Sequence, residues 1–452
     1  MQNNFNWPLA RIVAATNAKL VGTAAVISGV STDTRKLQQG DLFIALSGEQ
    51  FDGHEFCASA VQQGAAAVMV ERQLPLPVAQ IIVADTRKAL GMLAHAWREQ
   101  FSIPFIAVTG SNGKTTVKEM IAAMCAQRGR VLATQGNLNN DIGVPLTLLQ
   151  ITAQHQYAVI ELGANHPGEI AYLTALVKPD VALINNAAPA HLEGFGSLAG
   201  VAQAKGEIYG GLAPHGTGIV NVDDHFASVW QSLCKDYKTL TFGLQHPADV
   251  TAQWQANNDG CALSLCTPLG TIDVQLHLLG KHNVMNALAA TTAALAVGCS
   301  LEDIKHGLES TVAVKGRLQM KPGKSGSRII DDTYNANPAS FQAALDVLSV
   351  FPGQHFVALG DMGELGADAA SLHRAAGAYA KTSGVKRLYT VGRFARDAAQ
   401  EFGKEASAFE TQPPMITAIA AELSADVILL VKGSRSMQME NVVKSLVQQG
   451  EG

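Results

Sequence analysis

Residues Thr109 to Thr116 read TGSNGKTT, after the apolar run FIAV and before a helical pattern. That order of strand, glycine-rich turn, lysine and threonine is suited to holding phosphate. Backbone N–H groups of Gly110, Ser111, Asn112 and Gly113 and the start of the next helix face the anion. Lys114 reaches the terminal phosphates, and Thr115, followed by Thr116, can hold magnesium. The match to GxxxxGK[ST] is incomplete, because Val108 stands where the first glycine falls. Glu161 closes YAVIE and His191 follows VALINNAAPA, and residues at the carboxyl ends of parallel strands converge on a ligand crevice. Oxygen and imidazole ligands there suit magnesium that bridges phosphates. Taken singly, Glu161 reads equally as an exposed loop acid and His191 as a hydrogen-bonded structural histidine. Lys205, in AQAKGEIY, falls on a helix, where a solvated lysine is the ordinary reading.

The elements that position these residues follow a regular rhythm. From Ala24 to about Val83, strand-like runs and one helical pattern near His54 to Gln63 predict a small α/β unit. A helix from about Arg87 to Gln100 leads to a boundary near Pro104. Buried strands (FIAVT, VLAT, YAVIEL, VALINN, GIVNV) then alternate with helices, which predicts a mostly parallel sheet covered on both faces. Short alternating strands between Ala248 and Leu279, with a turn at Asn257 to Gly260, predict hairpins, and helices near His282 to Val297 and Leu301 to Glu309 follow. After Arg317, the strands RIIDD, HFVALGD, RLYTVG and DVILLVKG, alternating with helices, predict a third, Rossmann-like unit. The expected organisation is an α/β chain of three domains, over 1–84, 85–314 and 315–452.

Composition narrows the function. The chain has 452 residues, a formal net charge of −5 and no long basic run, which argues against nucleic-acid binding. Charged residues are 16% and AVILMFWYC 47%, a balance that excludes global disorder. No signal peptide is legible at the start, so a cytoplasmic location is expected. Six scattered cysteines read as buried free thiols. The uncharged stretch from Val284 to Leu301 is rich in Ala and Thr and reads as a buried helix rather than a membrane span.

Taken as an ordered set, several blocks resemble the Mur ligases of peptidoglycan synthesis: TGSNGKTT, NLNNDIGVP (Asn137 to Pro145), ELGANH (Glu161 to His166), AHLEGFGS (Ala190 to Ser197), AKGEI (Ala204 to Ile208), GKHNVMNALAA (Gly280 to Ala290), Gly316–Arg317 and DDTYNANP (Asp331 to Pro338). STDTRKLQQGDLF at the front and GDMGELG and KGSRSM at the back extend the resemblance over nearly the whole chain. No DNPR-like segment of the ligase that adds the third residue is present, and folylpolyglutamate synthase, a relative, lacks a front domain of the DTRxxxxGDLF type.

The resemblance implies an ATP-dependent amide ligase that joins D-alanyl-D-alanine to UDP-N-acetylmuramoyl-tripeptide through an acyl phosphate. A sister ligase adding one amino acid, or a nucleotide-switched binding protein, shares the same motifs. It further implies two magnesium ions, one at Thr115 and Glu161 and one at His191, with Lys205 as a carbamate facing them. An unmodified ammonium there would repel the metals. Asn286, flanked by Asn283 and His282, would meet adenine; Arg317 would meet phosphate and Asp332 ribose. Ser31, Thr32, Asp33, Arg35, Gly48, Asp52, Gly53 and His54 would hold the uridine diphosphate end. Asn139 and Asn140, in NLNNDIGVP, join the substrate residues, and Lys432 and Ser434 would meet the peptide or the incoming dipeptide. Asn337, before Pro338, is a helix N-cap. A monomer that closes about hinges near Pro104 and Val314 to Arg317 is expected.

Overall fold

The computed structural model describes residues 6–23, 25–48, 51–189, 191–257 and 259–448. Ala24, Ala190 and Asn258, which fall within segments quoted above, lie outside the described residues. Three larger sheets carry the chain, each with helices packed on it.

The central sheet has six parallel strands in the spatial order Val131–Ala133, Tyr157–Glu161, Phe105–Thr109, Val181–Ile184, Thr217–Asn221, Lys238–Phe242. Phe105–Thr109 and Tyr157–Glu161 are buried at every position, because helices cover both faces and neither side of the strand meets water. Parallel register then fixes what lies at the strand ends. Val108 pairs with Glu161, and Thr109 pairs with Ile184. Glu161 and the asparagines that follow Ile184 are therefore delivered to either side of the turn at Gly110. The first strand of the unit lies between a strand formed later on each side, the switch point where open α/β sheets bind ligands. The helix Lys281–Ala296 is buried almost all round, as its uncharged sequence predicts, and no helix among the described residues is long and apolar enough to cross a membrane. A three-stranded antiparallel sheet, Thr251–Asn257, Gly260–Thr267 and Gly270–Leu276, supplies the expected hairpins.

The front unit has a five-stranded sheet in the order Lys19–Val21, Ala79–Ile82, Ala67–Val70, Asp41–Ile44, Gly29–Ser31. The helix Thr86–Arg98, started by the Asp85 carboxylate on the N–H groups of Arg87 and Lys88, joins this unit to the central one. Its Trp97 indole donates to the Ile151 carbonyl, its Arg98 guanidinium to the Val177 carbonyl, and its apolar face belongs to one core shared by both sheets.

The last unit has the strand order Gln319–Pro322, Arg328–Asp332, Val427–Lys432, Gln354–Gly360, Arg387–Val391, Ala406–Phe409, parallel except for the first. The predicted strands all form. Gln319–Pro322, Ala406–Phe409 and the helices Ala395–Phe402 and Gln412–Glu422 are additions that sequence reading omitted. Short edge strands and helices rich in alanine give little periodic contrast. The link into this unit turns at Gly316, φ +72°, where a Cβ would stand 3.1 Å from the Tyr334 amide nitrogen.

Candidate active site

A cavity of about 1270 Å³ runs between the central and last units, reaching the start of the joining helix. Its wall takes Asp85, Arg87 and Lys88 from the start of the joining helix, the turn Ser111 to Thr115, Asn139, Glu161 and His191 from the central unit, and Arg317, Tyr334, Asn337, Glu364 and Ser434 to Ser436 from the last.

The turn is clamped by asparagines. The Asn112 N–H donates to the Asn186 Oδ1 (2.9 Å), and its carbonyl accepts from the side-chain amides of Asn185 (2.9 Å) and Asn186 (3.1 Å). Asn185 also donates to the Asn286 Oδ1 (2.8 Å), whose own amide donates to Asn283 (3.0 Å). Gly113 lies at φ +78°, and a Cβ there would collide with Asn286 Oδ1 at 2.3 Å, so glycine is required twice over. Asn283 and Asn286, expected at adenine, are here the posts that brace this turn. Sequence reading missed Asn185 and Asn186; two amides at the carboxyl end of the strand beside the turn were the available signal.

Lys114, the first residue of Lys114–Ala126, folds its Nζ back onto the Gly110 carbonyl at 2.7 Å. Burial pushes its pKa down, nearby Glu161 pulls it up, and Arg317 pushes it down again. Thr115 is buried at the cavity wall, whereas Thr116 is half-buried and is not part of that wall. Glu161 is 2% exposed; its Oε1 accepts from the Asn139 amide (2.8 Å), and its Oε2 is buried with no partner. A buried carboxylate oxygen left unpaired is costly and suits a cation. Asn140 also lines the cavity, and its Oδ1 accepts from the Gly143 N–H at the start of Gly143–Leu148 (2.9 Å).

His191, at φ +53°, sets its Nδ1 against a carboxylate oxygen of Glu364 of the last unit, itself at φ +60°. This contact holds the Glu364 carboxyl below the usual carboxylate range. Lys205 is not a solvated helical lysine. It is 3% exposed, with its Nζ 6.0 Å from the Phe195 ring centre, no described carboxylate paired with it, and a pKa well below the ordinary lysine value through burial and the charge of Lys114. Among the described residues no three His, Cys, Asp or Glu side chains form a metal cluster. The expected ligands offer one carboxylate (Glu161), one hydroxyl (Thr115) and one imidazole (His191), which fits an ion that keeps waters and phosphate oxygens as its other ligands.

From the last unit, Arg317 stacks over Tyr334 at 4.2 Å. Asp332 and Lys432 end neighbouring strands in register, and they pair with each other; Lys432 also donates to the Asn335 carbonyl (2.9 Å). Lys432, 2% exposed, is therefore withdrawn from the peptide contact expected of it, while Ser434 does reach the cavity. A second, mostly apolar recess of about 330 Å³ lies beside Gly280 to His282 and Met285, facing Ala343, Val347 and Phe351.

The front unit separates its candidates. Asp33 forks onto Arg35 (2.8 and 2.9 Å) and caps Thr34–Lys36, with Ser31 donating to the Asp33 carbonyl. The Arg35 bond lowers the Asp33 carboxyl to about 2. Thr32 is half-buried between them and Gly48 is exposed on a two-stranded ribbon. Asp52, Gly53 and His54 are structural instead. His54 is 4% exposed; its Nε2 accepts from the Glu71 N–H (2.9 Å), so its Nδ1 carries the proton given to Asp52 (2.6 Å). Asp52 is also held by Arg72 and Ser47, and a Cβ on Gly53 would strike the Leu46 carbonyl at 2.3 Å. None of these three, and none of Ser31, Thr32, Asp33, Arg35 and Gly48, is among the residues that form the cavity wall.

Known proteins share this arrangement. Three family models match in chain order: the Mur ligase family catalytic domain over 26–98, the Mur ligase middle domain over 108–294, and the Mur ligase glutamate ligase domain over 316–435. A UDP-N-acetylmuramoyl-tripeptide--D-alanyl-D-alanine ligase of Escherichia coli (strain K12) is 45% identical over 451 residues, covering 98% of each chain. The chain belongs to the Mur ligase family. Among solved Mur ligases, a crystal structure of MurF from Acinetobacter baumannii superposes with a TM-score of 0.94 at 40% identity, covering 98% of this chain and 99% of that one. MurF ligase from Thermotoga maritima, solved in complex with ADP, gives a TM-score of 0.82 at 26% identity, covering 92% and 96%.

Proposed function

We propose that this Mur ligase joins D-alanyl-D-alanine to the tripeptide carboxylate of UDP-N-acetylmuramoyl-tripeptide, with ATP converted to ADP and phosphate. The observation that carries the reading is a single cavity walled by a phosphate-type turn and by residues of the central and last units, with the start of the joining helix at its edge, which suits a reaction that must assemble a nucleotide, an acceptor and an amine. ATP and a nucleotide-sugar precursor make the cytoplasm its place of work.

A carboxylate resists attack by an amine until its oxygen becomes a leaving group. Transfer of the γ-phosphoryl to it gives an acyl phosphate and ADP; the neutral amine nitrogen then adds to the acyl carbon, and the C–O bond breaks as the C–N bond is kept, so that phosphate leaves with the proton the nitrogen sheds. The first step drives two anions together, so most of the catalytic task is electrostatic. Lys114 exchanges the Gly110 carbonyl for phosphate oxygens, the N–H groups of the clamped turn hold the chain of phosphates, and Arg317 adds a second positive charge. Asn139 fixes the Glu161 carboxylate so that its unpaired Oε2 stays turned to a cation. Magnesium held by Thr115 and Glu161, with a second ion at His191, supplies Lewis-acid neutralisation of the phosphates when bound. Lys205, buried beside Lys114 without an acid, is explained by uptake of carbon dioxide to form an anionic carbamate. The apolar recess beside His282 suits the purine base, and Asp332, which lines neither cavity, would meet the ribose by giving up its pair with Lys432. Ser31 to Arg35 and Gly48 remain the residues proposed for the uridine diphosphate end, and Ser434 for the dipeptide.

The test is phosphate release from magnesium-ATP and UDP-N-acetylmuramoyl-tripeptide, with and without D-alanyl-D-alanine, followed by product mass. Release that requires the dipeptide, and a product heavier by one dipeptide residue pair, is expected. Release with a single amino acid instead identifies a sister ligase, and no release with any amine defeats the reading.

A further inference from the structure

Two elements far apart in sequence meet at one hydrogen bond. The Asn337 side-chain nitrogen donates to the Asn112 Oδ1 at 2.8 Å, across 225 positions of chain. Each partner is braced within its own unit, Asn112 through its backbone and Asn337 through its side-chain oxygen. The Asn112 backbone is held by Asn185 and Asn186, which sets where its side chain points. The Asn337 Oδ1 accepts from the Ser340 N–H (2.9 Å) in a capping box that starts Pro338–Ser349. Asn337 is 8% exposed, so water competes poorly for its amide.

We infer that Asn337 is a positioning residue that couples closure of the last unit to the shape of the phosphate turn. The inference rests on the reading of that turn as the ATP site. One oxygen of Asn337 makes the helix cap and its nitrogen makes the latch, so the two roles divide by atom. When the turn is held in its phosphate-binding shape, Asn112 Oδ1 stands where the closing helix start needs an acceptor. Linkage makes the effect reciprocal, so closure also favours the bound nucleotide. A net amide hydrogen bond is worth a factor of about 2 to 12 in the closed-to-open ratio.

Asn337→Ser separates the roles, because serine caps a helix as well as asparagine but is too short to keep the second bond. The expected result is a KM for ATP raised about 2- to 12-fold with kcat falling less, since saturating substrates still drive closure. The melting temperature stays at the wild-type value, whereas Asn337→Ala, which loses the cap, lowers it. Energy transfer between dyes on the central and last units, titrated with magnesium-ADP, reports closure without turnover and is reduced in Asn337→Ser. Asn112→Ala combined with Asn337→Ser is no worse than the more severe single variant. An Asn337→Ser variant with unchanged KM and closure, or effects that multiply in the double variant, overturns the latch. If the wild type closes and the cycle is non-additive but no amine stimulates phosphate release, the latch stands and the ligase reading fails.

Discussion

Replacing Glu161 with glutamine tests whether this buried acid is kept at a cost to the fold. Its Oε2 is buried without a partner while Oε1 takes the Asn139 amide. Glutamine is nearly the same shape and its oxygen can take over the Asn139 bond, so the change is one of charge. An unsatisfied buried polar group costs about 1–3 kcal/mol, and more when charged. The glutamine nitrogen is also unpaired but neutral, and the lost attraction to Lys114 offsets part of the gain. A net gain of about 1 kcal/mol in the absence of nucleotide is expected. For a unit of this size that raises the melting temperature by about 2–4 °C. With magnesium-ADP at one hundred times its dissociation constant, the wild type gains about 2.7 kcal/mol. A variant that binds one hundred times more weakly gains only about 0.4 kcal/mol. The order of the two melting temperatures therefore reverses on adding nucleotide, and phosphate release falls about 100-fold or more. Calorimetry of both proteins with and without magnesium-ADP measures this directly. A variant that melts below the wild type without nucleotide, or that gains as much from it, refutes the reasoning.

Three other outcomes follow from the same structure. Lys205, buried without an acid, takes up labelled bicarbonate to give a carbamate carbon signal by NMR that Lys205→Gln lacks; its absence in active wild-type enzyme removes the carbamate from the mechanism. Burial, helped by the charge of Lys432, holds His282 at about 4 against the raising effect of Asp332 and Asp346. Between pH 6.5 and about 4 the unfolded chain binds a proton that the native chain refuses, so stability falls as pH falls through that window, by about 2–3 kcal/mol. His282→Leu flattens that part of the profile in denaturant titrations at pH 7 and pH 5, and an unchanged slope counts against the assignment. His54→Ala leaves the Glu71 N–H and Asp52 without their partner and lowers stability by about 1–3 kcal/mol. The KM for the nucleotide-sugar substrate stays at the wild-type value, and a selective rise in it with unchanged melting would return His54 to the binding site.

Much of the fold was legible because burial on both faces writes long apolar runs, and those runs mark the strands of the central and last sheets. The phosphate turn was equally legible, since only a glycine at Gly113 fits the left-handed backbone there, and its lysine and threonine follow at fixed spacing. Elements that carry little contrast were not, such as the edge strands Gln319–Pro322 and Ala406–Phe409. The motif DGH at Asp52 to His54 looked like a binding segment because turns and ligand sites favour the same small and polar residues. Its hydrogen bonds to Arg72 and Glu71, distant in sequence, decide that it is a brace.

The sequence by itself determined the α/β class, the phosphate turn and the order of candidate residues along the chain, because local backbone geometry and hydrophobic period act within a few positions. Partnership was decided only by tertiary structure. Parallel register sets Asp332 against Lys432 and so takes that lysine from the substrate. Packing buries Lys205 without a described carboxylate to pair it, leaves Glu161 Oε2 unpaired, and brings Asn337 to Asn112. Whether a polar side chain serves the fold or the reaction depends on which of its atoms are already bonded, and those bonds come from strands and helices that meet only when the three units pack together.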